Sequence, residues 1–150
     1  MPKESHHRNR LLESLAGVNP DLDAVATLGE EARPWIETAL GGDNLSLATR
    51  AVRLAGKIGA RDLLDRAWQD PRASVRTTAL IAMRSRGALS SQVLEAAVAD
   101  VHPAVRLQAA HAITDLGGGA ALDRLRAMQA AETESAVTET IDTLIDKIDG

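Results

Sequence analysis

Apolar side chains fall along this chain at helical spacing, and the spacing itself recurs. Leu47, Ala51, Leu54, Ala55 and Ile58 stand at i, i+4, i+7, i+8 and i+11, and Val105, Ala109, Ala112, Ile113 and Leu116 repeat the same offsets. Each set forms one apolar stripe on an amphipathic helix. A second family of stripes lies between them. Trp35, Ile36, Ala39 and Leu40 align with Leu63, Leu64, Ala67 and Trp68, and these with Val93, Leu94, Ala97 and Val98. No stretch alternates β-branched and polar residues as a half-buried strand would. The pattern predicts an all-α chain.

The polar positions repeat as well. Asp70-Pro71-Arg72-Ala73-Ser74-Val75-Arg76-Thr77-Thr78-Ala79 returns as Asp100-Val101-His102-Pro103-Ala104-Val105-Arg106-Leu107-Gln108-Ala109, and Gly87 and Gly117 follow the two valines at equal distance. Leu47 precedes Gly59 in the same way. Each copy therefore reads as two antiparallel helices, A and B, with Pro opening the first and Gly closing it. One copy cannot cover its own stripe, so the copies are expected to stack as a solenoid. The chain is then one domain over 1–150, with an atypical N-terminal cap over 1–30 carried by Leu11, Leu12, Leu15, Leu22, Val25 and Leu28. Repeats follow over roughly 31–70, 71–100 and 101–131. A C-terminal capping helix over 133–149 carries Val137, Ile141, Leu144, Ile145 and Ile148 on one face and polar residues on the other. That polar outer face leads to the expectation that the array ends within this chain and that the protein is a monomer.

The Asp-Pro-x-x-x-Val-Arg-x-x-Ala core, the Ala-rich A helix and the closing Gly resemble HEAT-like repeats, in particular the short variety named after phycobilin lyases. The resemblance covers 31–150. It implies a right-handed α-α superhelix with A helices on the convex side and B helices lining a concave face that binds a peptide or protein. Turning the apolar B residues inward leaves Arg33, Glu37, Asp62, Asp65, Arg66, Gln69, Gln92, Glu95, Arg124, Arg126 and Gln129 as the lining, polar and mixed in sign. The Asp70–Arg76 and Asp100–Arg106 pairs resemble structural positions of such repeats rather than recognition residues.

Composition narrows the chemistry further. The chain has no Cys, Phe or Tyr and two Trp, so thiolate metal sites, disulfides, cysteine nucleophiles and aromatic stacking platforms are excluded or nearly so. Frequent Ala and a preference for Arg over Lys give it a bacterial-type composition. His6 and His7 are adjacent, His102 and His111 sit nine apart, and no Ser sits in a nucleophile elbow. Gly117-Gly118-Gly119 lacks the Lys-Ser/Thr of a phosphate loop and reads as a turn. The expectation is a non-catalytic module without cofactor or metal.

Charge is uneven along the chain: residues 1–43, 44–86 and 87–150 carry −4, +6 and −6. Arg50, Arg53, Lys57 and Arg61 form a basic belt in the middle third. It favours an acidic protein partner, or in an alternative reading a nucleic-acid backbone, although flanking acidic copies and missing aromatics weaken the latter. A lyase-like accessory subunit is the other alternative. No signal peptide or apolar run of membrane-spanning length is present, which places the expected location in the cytoplasm.

Overall fold

The computed structural model describes residues 2–150, and every regular element among them is helical. In chain order these are α1 (Pro2–Ser14), α2 (Leu22–Ala26), a short 3-10 helix (Gly29–Ala32), α3 (Arg33–Gly41), α4 (Leu45–Ile58) and α5 (Arg61–Trp68). Then follow α6 (Ala73–Ser85), α7 (Ser91–Val98), α8 (Pro103–Leu116), α9 (Gly118–Ala131) and α10 (Ser135–Asp149). The chain comprises two compact units, the first ending at Met83 and the second beginning at Arg84. None of the described helices is long and apolar enough to cross a membrane.

In the first unit α4 is central, packed against α2, α3 and α5. Its start is fixed by Asn44, whose side chain accepts the Leu47 N–H at 3.0 Å. Its end is fixed by Gly59, left-handed at φ 73°, ψ 26°, as the repeat pattern requires. Ala48, Ala51, Val52, Leu54 and Ala55 are buried with Leu15 and Val25 of the N-terminal cap, Ile36 of α3, and Leu63, Leu64 and Trp68 of α5. Leu47 and Ile58, at the two ends of the expected stripe, are half-buried. Gly56 is buried in the middle of α4, where Gly costs about 1 kcal/mol relative to Ala. Its neighbour accounts for it: a Cβ built there would stand 3.1 Å from the Cβ of Ala82 on α6. The two helices meet backbone to backbone through the smallest residues.

In the second unit α8 packs on α7, α9 and α10, and α9 packs on α10. Pro103 occupies the first turn of α8, as expected. Pro71 does not do the same for α6. It lies ahead of Ala73, and the turn is made by Asp70, whose carboxylate accepts the Arg72 N–H at 2.9 Å. Val105, Ala109, Ala112 and Ile113 are buried, but Leu116, the last residue of the anticipated stripe, is 66% exposed. Gly117 at φ 68° ends α8 immediately after it and leads straight into α9, so no neighbouring turn covers it. In α10 Val137, Ile141 and Leu144 are buried, and Ile145 and Ile148 are half-buried.

Candidate functional site

The two repeated arginines serve the turns that open their own helices. The Arg76 Nη1 donates to the carbonyls of Asp70 at 3.0 Å and Pro71 at 2.9 Å. Arg106 repeats the arrangement with Asp100 at 3.0 Å and Val101 at 3.1 Å. Each guanidinium thus reaches back to the turn that opens its own helix and satisfies carbonyls that no helical N–H reaches. Arg106 also forms a two-pronged pair with Glu132, Nε to Oε2 at 2.9 Å and Nη2 to Oε1 at 2.7 Å. The Glu132 side chain is 2% exposed and also accepts the N–H groups of Thr133 and Glu134.

Arg106, reinforced by burial-opposing backbone N–H bonds, holds the Glu132 carboxyl down at about 2. The sign of the resulting pH dependence is fixed. Between the ordinary value of 4.5 and about 2 the unfolded chain binds the proton that folded Glu132 refuses, so stability is complete above pH 4.5 and falls as pH drops toward 2. The full shift corresponds to about 3 kcal/mol. Denaturant titrations from pH 6 to pH 2.5 are expected to show most of this loss in the wild type and a correspondingly smaller one in Glu132→Gln, where Asp70, Asp62 and Glu30 still titrate.

The basic belt is partly spent on internal contacts. The Arg50 Nη1 donates to the carbonyls of Leu15 and Gly17, both at 2.7 Å, and so caps the segment that follows α1. Lys57 pairs with Asp23 of α2. The Arg53 and Arg61 side chains are exposed and make no hydrogen bond or ion pair to a described residue. Arg72, which the sequence reading passes over, donates to the Leu40 and Gly42 carbonyls at 2.8 Å each and is pinned by both Asp70 oxygens. It closes the C-terminal end of α3. The tightly paired Asp70 carboxyl is held below the usual range by Arg72.

The B-helix residues are brought together in pairs. In the first unit Arg33 donates to Asp62 at 2.7 and 3.2 Å and to Glu30 at 2.6 Å, with Glu37 at 4.0 Å. Arg33 thereby holds both the Asp62 and the Glu30 carboxyls below their ordinary values. Asp65, Arg66 and Gln69 are exposed on or just beyond α5, and Arg66 and Gln69 edge a shallow groove beside Leu40 and Arg72. In the second unit Arg124 of α9 pairs with Glu95 of α7, Arg126 lies 3.9 Å from Asp149, and Gln129 bonds Asp142. Gln92 is exposed on α7.

Between α7 and α9 the second unit opens a cleft of about 480 Å³. Exposed Ala99, Ala127 and Ala131 leave the space, half-buried Val98 forms part of one wall, and Met128 and Ile113 form the floor. Glu95 and Arg124 stand at its wall, as do Arg106 and Glu132. The lining expected from sequence is polar and mixed in sign, because the apolar walls come from Ala99 just after α7 and from Ala127 and Ala131 of α9, residues that count as weakly apolar until folding brings them to one cleft.

No protein-family model and no curated protein matches this chain. The chemistry therefore has to be read from the cleft itself. Among the described residues no group of three or more His, Asp or Glu side chains is placed to hold a metal ion. The arrangement offers shape, an apolar floor and charged walls, which suits binding of a side chain in a fixed orientation.

Proposed function

We propose that this protein is a non-catalytic HEAT-like α-solenoid module, monomeric, that binds a peptide segment of a partner protein along its B helices. The cleft between α7 and α9 carries the reading: small exposed side chains over a buried apolar floor, bordered by charged residues at hydrogen-bonding distance from one another. The repeat-like character is supported by the matching turns made by Arg76 and Arg106, and by the positive φ of Gly59, Gly87 and Gly117 at equivalent positions. An open cleft lined by helices fits an inserted apolar side chain flanked by backbone better than an enclosed small molecule. Engagement of Arg50 and Lys57 within the first unit leaves less free cationic surface for a phosphate backbone.

A random 12-residue peptide library displayed on phage tests the proposal. Selection on the intact protein is expected to enrich peptides with a recurrent apolar residue. Their affinity should fall at least tenfold in Ala127→Trp, which fills the cleft from an exposed position. Enriched peptides that bind Ala127→Trp unchanged would move the site elsewhere, and no enrichment would remove the function.

A further inference from the structure

The two charged pairs bordering the α7/α9 cleft differ in how completely they are satisfied. All three Arg106 nitrogens are engaged, and the Glu132 carboxylate accepts from the guanidinium through both oxygens and from two backbone N–H groups. That end is saturated and has little left to offer a ligand. At the other pair, Arg124 meets Glu95 through one nitrogen and one oxygen. The second Glu95 oxygen, Oε2, makes no hydrogen bond to a described residue, and the Glu95 side chain is 66% exposed against 34% for Arg124. Arg124 also keeps two nitrogens without a partner among the described residues, but it is the more covered of the two, so the more accessible charge of this pair is the carboxylate.

The surroundings have the same sign. Glu95, Asp100 and Glu132 line the cleft against Arg106 and Arg124, so carboxylates outnumber guanidiniums there. Residues 87–150 as a whole, these included, carry 10 acidic and 4 basic side chains. Such a field draws cations and repels anions on approach. Complementarity then sets the occupant: an apolar side chain for the floor of Met128 and Ile113, and a Lys or Arg beside it for the open oxygen of Glu95.

Resting on the peptide-binding reading above, we infer that the cleft takes a basic-apolar segment of a partner protein, its cationic side chain seated on Glu95. Arg124 has an opposing effect in this arrangement. It orients Glu95 in the free protein and competes with the incoming cation for the same carboxylate, so part of its pairing is given up on binding.

The test follows from these opposite signs. Peptides selected from the random library on the intact protein are expected to carry Lys or Arg next to the conserved apolar position. In fluorescence anisotropy with one such peptide, Glu95→Gln should weaken binding about fivefold and Arg124→Gln should strengthen it about twofold, in the range of partly exposed ion pairs. Replacing the peptide's basic residue by Gln should cost about fivefold on the wild type and nothing on Glu95→Gln. Peptides that bind the cleft and lose affinity in Ala127→Trp, yet are acidic or indifferent to both charge variants, overturn this inference and leave the binding function standing. Absence of any peptide sensitive to Ala127→Trp overturns both.

Discussion

Arg106→Ala is expected to destabilise the second unit by about 3 kcal/mol, near the lower end of the cost of breaking a buried pair. The Arg106 side chain is 17% exposed and its partner Glu132 only 2%, so truncation leaves a carboxylate that water barely reaches. Two backbone N–H groups remain to it, and the Asp100 and Val101 carbonyls lose their donor in the same step. Arg106→Lys should recover well under half of the loss, because an ammonium cannot reproduce the planar fork that spans both carboxylate oxygens and the turn. The second unit contains neither Trp, so the measurement is native-state amide exchange in α8 to α10 of the intact chain. Unchanged protection in Arg106→Ala would show that the pair is incidental to the fold.

An effect of similar size is expected at Gly56. A Leu there would place its Cβ 3.1 Å from Ala82 and push its remaining carbons into the α4/α6 contact, where both backbones are already close. Overpacking of this kind costs about 1 to 3 kcal/mol, and the upper end applies because Gly56 is buried and the obstacle is a short side chain on a rigid helix with nowhere to swing. Gly56→Ala is the informative control. Its gain in helix propensity of about 1 kcal/mol works against a contact that must yield a few tenths of an ångström, so its net change should be small. Trp35 and Trp68 both lie in the first unit and report its unfolding in urea by fluorescence. A Gly56→Leu midpoint equal to that of the wild type would mean that α4 and α6 do not meet as described.

The helices and most of their buried faces were legible because a 3.6-residue period is a local property. Val105, Ala109, Ile113, Val137, Ile141 and Leu144 are buried where the spacing put them. Leu116 was misjudged because periodicity does not register that a glycine ends the helix before a neighbour can cover the last turn. The polar contacts were less legible. Charge spacing puts Arg50, Arg53 and Lys57 on α4, but the carbonyls of Leu15 and Gly17 that hold Arg50 lie far away in sequence. Backbone acceptors carry no residue-type signal at all. Arg72 escaped notice for the same reason, its targets being the Leu40 and Gly42 carbonyls. Glu132 stood in an unremarkable turn before α10, and only folding brings it to Arg106. The cleft depends on Ala99, just after α7, sharing a space with Ala127 and Ala131 of α9, and the repeat offset does not give the spacing between them.

The most direct test of the account is amide chemical-shift mapping of the intact chain with a selected peptide. Perturbations are expected to concentrate at Glu95, Val98 and Ala99 on or just after α7, and at Arg124, Ala127 and Ala131 on α9, which line the cleft. Shifts centred instead on the exposed Arg53 and Arg61 of the first unit, with α7 and α9 silent, would contradict it.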